Sequence, residues 1–388
     1  MLYRILPLFF FFLIAFSQNK ASDPFSFYIF NPKSETENPP ALKGKVKSIK
    51  TVFTIEQPKE NPFWGNTEEY VEFRAFDERG NKVEEYILED KDTIFFALKR
   101  FNQKDSVTYS KIKDKRSPIP TDKLIVTETF STYNEKGFLS YITTIKDGVK
   151  RNFTYTYNDK QQLVKILGKL DGKVYYTILY EYDHKGNKIL EKFTNALEKI
   201  KSFTKNYQYN SDNLLTKYIK KNHSGKELAI IEKNYNNGFL VGITESFYEA
   251  SNKRINYYTF KYSNNTLSEV TQTQTYYGND DLYTFVARFS PNGLLKEDIR
   301  FSGKVKSVQN NNFYTYNDHN QLVKIEEKIL GFITTYTYTP QGNLRSIDEG
   351  IEGKTYFQYD AKGNCVEKRT YYEAIKSTYI YKSTITYY

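Results

Sequence analysis

Apolar and polar residues alternate in short runs along most of the chain. Phe153 to Tyr157 reads FTYTY, Tyr176 to Tyr182 reads YTILYEY, Tyr258 to Tyr262 reads YTFKY, and Thr334 to Tyr338 reads TTYTY. Period-two alternation puts the aromatics on one face of a strand and Thr, Lys or Gln on the other, so each run predicts a half-buried strand. The runs end alike. An aromatic is followed by Asn or Asp, a few variable residues, Gly or Asn, and an apolar residue: FDERGNK at Phe76, YNEKGFL at Tyr133, YNDKQQL at Tyr157, YDHKGNK at Tyr182 and YNSDNLL at Tyr209. The series continues as YNNGFL at Tyr235, YSNNTL at Tyr262, FSPNGLL at Phe289, YNDHNQL at Tyr316, YTPQGNL at Tyr338 and YDAKGNC at Tyr359, with FNQKDSV at Phe101 as a degenerate copy. From Tyr133 onward the anchors fall 21 to 27 residues apart, a supersecondary period that marks a repeat architecture.

Each repeat predicts a hairpin. The Asn or Asp after the anchor can bond to backbone two residues on, and Gly80, Gly137, Gly186, Gly293, Gly342 and Gly363 can take the positive φ that closes the turn. Second strands are expected to start at Leu139, Leu163, Leu215, Leu295, Leu322 and Leu344. Asp147-Gly148, Asp171-Gly172, Ser224-Gly225 and Ser302-Gly303 return the chain. The expected fold class is therefore all-β: about 12 hairpins, roughly 24 strands, forming an extended, twisted or curled antiparallel sheet.

The anchors resemble the YD repeat of the RHS-like family, whose unit is Tyr-Asp, two variable residues, Gly, a polar residue and Leu. With LKGKVKSIK at the start and TITYY at the end, residues 44–388 look like the short exported members found in Bacteroidetes-type bacteria. In the large relatives such repeats wind a spiral sheet into a shell around a toxin, so the resemblance implies encapsulation or recognition rather than catalysis. The small number of units favours an open curved sheet over a closed shell.

The remainder divides simply. Residues 1–17, with a basic start, an apolar run from Ile5 to Phe16 and small residues Ala15 and Ser17, match a secretory signal cut between Ser17 and Gln18. Residues 18–43 read as a flexible leader and residues 44–388 as the repeat array. An insertion loop lies near 111–123, carrying Lys111, Lys113, Lys115 and Arg116. The chain is expected to be exported to the periplasm, the cell surface or the exterior.

Composition narrows the chemistry. Tyr (36) and Phe (29) favour strands, and the single cysteine excludes an intramolecular disulfide and a Cys-based metal site. The net charge of +10 comes from scattered lysines, so no nucleic-acid partner is expected. His184, His223 and His319 fall at turns. Cys365 takes the place of a packing Leu, and Asp159, Asp183, Asp318 and Asp360 read as turn residues. No catalytic, cofactor or metal residue is expected. The reading is a non-enzymatic repeat scaffold, without a cofactor, that recognises an envelope glycan or protein. The alternatives are an accessory or shell component of an RHS-like toxin system and an outer-membrane β-barrel.

The signal reading has a direct check. N-terminal sequencing of the exported protein should begin at or near Gln18, and recovery of intact Met1 would contradict it.

Overall fold

The computed structural model describes residues 41–56, 70–89, 91–115, 125–248, 253–276, 279–303 and 307–388. The expected signal segment, with Ser17 and Gln18, and residues 18–40 of the leader lie outside the described residues. The chain divides at Asn38 and Pro39, and all that follows concerns the unit Pro39–Tyr388.

Among the described residues the chain forms 26 strands. The first are β1 (Val46–Glu56), β2 (Tyr70–Phe76), β3 (Lys82–Glu89), β4 (Asp92–Phe101), β5 (Val107–Asp114), β6 (Ile125–Tyr133), β7 (Leu139–Lys146), β8 (Val149–Tyr157) and β9 (Leu163–Leu170). The middle holds β10 (Lys173–Tyr182), β11 (Lys188–Asn195), β12 (Phe203–Tyr209), β13 (Leu215–Asn222), β14 (Glu227–Asn236), β15 (Phe239–Tyr248), β16 (Lys253–Ser263), β17 (Thr266–Tyr276) and β18 (Asn279–Phe289). The last are β19 (Leu295–Ser302), β20 (Ser307–Tyr316), β21 (Leu322–Glu327), β22 (Ile333–Tyr338), β23 (Leu344–Asp348), β24 (Lys354–Tyr359), β25 (Cys365–Tyr372) and β26 (Ser377–Tyr387). The six Leu residues expected to open second strands do so, and Phe101 ends β4 as the other anchors end theirs, except Tyr235 and Tyr262, which stand one residue before the ends of β14 and β16. The expected insertion loop begins later than 111, because Lys111 and Lys113 belong to β5, paired with Leu98 and Phe96.

Each strand pairs antiparallel with its neighbours in sequence, and β26 pairs with β1, Val46 to Glu56 running opposite Tyr387 to Thr378. The sheet is a closed barrel. The open edge favoured by the repeat count does not exist, and two observations explain why. First, all twelve anchor hairpins carry a bulge at the same place, just before the anchor, as between Thr156 and Tyr157. A bulge bends its strand and increases the local twist, so a bulge repeated in phase adds curvature in one sense. Second, the first and last strands make a thirteenth unit with its turn cut open. Tyr387 stands as anchor, Gly44 takes the turn-closing φ of 77°, and Val46 occupies the Leu position. The Tyr388 N–H reaches Lys45 O at 3.0 Å, as the Asp360 N–H reaches Asn364 O at 2.9 Å in the intact turn beside it. Asn364, only 3% exposed, clamps the joint: its Nδ2 donates to Lys43 O at 2.8 Å and its Oδ1 accepts the Lys43 N–H at 2.7 Å.

The anchors have a common task. Between units the backbone ladder stops two residues short of the turn; β7 and β8 pair only as far as Tyr141 and Thr154, which leaves Leu139 beyond the ladder. The phenol of Tyr157 donates to that Leu139 carbonyl at 2.9 Å. Tyr133, Tyr182, Tyr209, Tyr235, Tyr262, Tyr338 and Tyr359 donate in the same way to Val107, Leu163, Lys188, Leu215, Leu240, Leu322 and Leu344, at 2.6 to 3.1 Å. Phe76, Phe101 and Phe289 fill the position without a hydroxyl, and Tyr316 packs in a cluster with Leu322, Tyr336, Leu344 and Ile347. That cluster sits where β21 to β24 are shortest, five or six residues each, so packing supplements a sparse ladder there.

The face carrying the anchors is the covered one. Along β16, Asn256, Tyr258 and Phe260 are buried while Tyr257, Thr259 and Lys261 are exposed, and β8, β22 and β24 alternate in the same sense. Side chains converge on the concave side of a curved sheet, so this face lines the barrel. Val71, Thr284, Ile299 and Ile380, buried on the opposite face, depart from the rule.

Replacing Tyr157 separates its two contributions. Tyr157→Phe should cost about 1 kcal/mol, the usual net worth of one hydrogen bond, and Tyr157→Ala about 2 to 4 kcal/mol. Equal denaturation midpoints for parent and both variants would show that the anchor does not hold the units together.

Candidate functional site

The turns that follow the anchors make one rim of the barrel. Asp77, Asn317 and Asp360 each accept two backbone N–H bonds from their own turns. Where the turn-closing residue is not Gly, Asp105, Gln161, Asn213 and Asn320 adopt φ of 57 to 64°. The residue before the second strand then reaches the next turn: Gln162 Nε2 to Gly186 O at 3.1 Å, Gln321 Nε2 to Gly342 O at 2.9 Å, and Asn81 Nδ2 to Asp105 Oδ1 at 2.8 Å. These side chains are occupied in holding the rim. His184 and His319 lie in such turns, and His223 in the return turn after β13. Asp183 and Asp360 cap their turns, whereas Asp159 and Asp318 stand one position later. Among the described residues no group of three His, Cys, Asp or Glu is placed to hold a metal ion. Cys365 is half-buried opposite Tyr359, and burial pushes its thiol up.

The chemistry lies instead on the lining face, where carboxylates replace apolar residues. Three positions into the second strand, half of the units place an aliphatic residue, as at Ile142, Ile166, Ile325 and Ile347. Glu85, Glu191 and Asp298 stand at the same position. Glu191 accepts from Lys205 at 2.6 Å and Lys188 at 3.0 Å, and the Tyr207 hydroxyl lies at 3.4 Å. Burial works to raise this carboxyl, but the two lysines outweigh it and hold it below the usual range. Burial and Glu191 push the nearby Tyr180 up to about 12.

Two further sets share one design on strands β15 to β20. Glu245 accepts from Asn256 Nδ2 at 2.9 Å and from the Tyr258 hydroxyl at 3.0 Å. Asp298 accepts from Asn312 Nδ2 at 3.2 Å and from the Tyr314 hydroxyl at 2.5 Å. Each set is a carboxylate on one strand receiving an amide and a phenol from the next. Burial raises Asp298 above the usual aspartate range against the pull of Tyr314 and Asn312. Between the sets the ladder brings Tyr258, Gln272, Phe285, Arg300 and Asn310 opposite one another in turn, with Asn256 opposite Gln274 and Gln274 opposite Tyr283 beside them. Arg300 and Tyr283 are exposed, and the Arg300 guanidinium lies 5.8 Å from the Phe285 ring. Sequence reasoning missed this band. The available signal was the set of acids Glu85, Glu191 and Asp298 at a repeat position held in other units by Ile142, Ile166, Ile325 and Ile347.

No family model matches the chain, and no curated protein does. Among solved structures, the crystal structure of TcdB2-TccC3-Cdc42 is similar at 13% identity over 87% of this chain, with a TM-score of 0.43. That of TcdB2-TccC3-TEV is similar at 15% over 81%, with a TM-score of 0.42. The chain spans only 19% and 17% of those proteins' lengths. A porin-like protein from Bacteroides uniformis aligns over 90% of this chain and 100% of its own, at 12% identity and a TM-score of 0.21. Scores this low carry no argument, so the architecture rests on the chain's own strand pairing.

The raised Asp298 carboxyl makes a signed prediction. In the folded chain it holds its proton to higher pH than in the unfolded chain, so it costs stability as pH rises from the ordinary aspartate value of 3.8 through its raised folded value. Asp298→Asn should therefore gain on the parent as pH rises toward neutrality. Denaturant midpoints on either side of that range check it, and a gap between the two proteins that stays constant or closes would contradict it.

Proposed function

We propose that this protein is a non-enzymatic, exported β-shell that takes its ligand on the lining face of the barrel. The observation that carries the reading is the β1–β26 pairing, which turns a row of hairpins into an enclosure. A circular ring of 26 strands has a circumference of about 125 Å and a backbone diameter of about 40 Å, too wide for its own side chains to fill. Such a wall surrounds something or presents an inner surface. The resemblance to YD-repeat proteins, carried by the anchors, supports a scaffold role, and the apolar run at Ile5 to Phe16 supports export.

An outer-membrane barrel is the alternative that a closed sheet invites. A membrane strand needs about 9 to 11 residues and an outward apolar band. Strands β21 to β24 have five or six. The outward face carries the ion pairs Lys111–Glu128 and Lys217–Glu232, both at 2.7 to 2.8 Å, and the chain Lys261–Glu269–Arg288–Glu297. Both facts favour a shell in water.

The mature chain should stay monodisperse and monomeric in buffer without detergent, and its small-angle scattering should show the deficit of short interior distances that marks a hollow particle. Extraction only by detergent, or scattering from a filled or extended particle, would overturn the reading.

A further inference from the structure

We propose that the lining face of β15 to β20 is a binding site for a neutral oligosaccharide chain laid across the strands; this rests on the shell reading above. The band offers what a polyol needs. Gln272, Gln274, Asn310 and Arg300 supply donors and acceptors, and Tyr283, 49% exposed, and Phe285 supply ring faces against which a sugar can stack. Asn256 is only 7% exposed on this face; its Nδ2 is used by Glu245 while its Oδ1 has no partner, and Arg254 Nε and Asn310 Oδ1 are likewise buried without one. These atoms lie beneath the surface of the band, so the groups a ligand meets first are the exposed ones, Tyr283 and Arg300.

The same observations select the ligand class. The lining face of these strands carries two acids, Glu245 and Asp298, and two arginines, Arg254 and Arg300, so the charges are balanced and a polyanion gains nothing over a neutral chain. A peptide that binds by adding a strand needs a free sheet edge, and the ring leaves no such edge among the described residues. From β15 to β20 is five strand spacings, about 24 Å, so the site fits several sugar units rather than one, with affinity gathered from many weak contacts.

The test is an array of neutral and acidic glycans probed with the mature chain, followed by calorimetry on the best neutral oligosaccharide. Neutral chains of several sugars should be retained. Arg300→Ala and Tyr283→Ala, both at exposed positions that spare the fold, should weaken binding at least tenfold, and Tyr257→Ala on the opposite face of β16 should leave it unchanged. Retention of acidic glycans alone, retention of no glycan, or equal binding by all three variants would overturn the proposal. Because detergent-free solubility and hollow scattering are measured separately, a chain that passes them yet holds no saccharide refutes this site, whereas a chain that fails them refutes the shell.

Discussion

The structure depends on a hydrogen bond made over and over: the phenol of one unit donating to a backbone carbonyl that the preceding unit cannot satisfy itself. A bulge bends the start of each second strand, as at Val164, the extra residue between Leu163 and Lys165, and the ladder to the previous unit stops two residues short of the rim. The carbonyl left beyond it is half-buried, and burying such a group without a donor is costly. Tyr at the strand end supplies both the ring that covers the gap and the hydroxyl that fills it, as Tyr182 does for Leu163. The bulge that creates the need also curves the sheet. Curvature and cohesion therefore come from one device, repeated in phase until the ends meet.

Much of this was legible in the residues. The anchors, the turns and the first residues of the second strands could be placed because turn chemistry is local and each copy confirms the others. Closure was not legible, because it depends on curvature summed over the whole chain and on a unit that is cut in two. Gly44 and Val46 stand far from Tyr387 in sequence, and only pairing shows that they belong to one turn. The lining band was hidden for a related reason. Glu245, Asn256, Asp298 and Asn312 come from four strands and have no shared spacing. Glu85, Glu191 and Asp298 put acids where other units carry Ile, and reading each unit against the others at that position would have marked them.

The inner wall is uneven in a way that matters. At β21 to β24 the strands are short and an aliphatic and aromatic cluster holds them together. At β15 to β20 the strands are long, and the wall carries buried carboxylates, amides and an arginine. Each carboxylate there is tolerated because the next strand supplies it with an amide and a phenol. The repeat thus provides the frame, and departures from the repeat provide the chemistry.

Closure is the claim on which the shell, its lining and the proposed site all rest, and a disulfide across the joint tests it directly. Thr51 and Ser383 face each other with their hydroxyl oxygens 2.8 Å apart. In a Cys365→Ser background, Thr51→Cys with Ser383→Cys should oxidise within one chain, giving a monomer two hydrogens lighter, because directly paired strand positions lie within disulfide reach. In an open sheet of 26 strands these residues would sit on opposite edges, about 120 Å apart. Free thiols or disulfide-linked dimers in place of that monomer would contradict a closed ring.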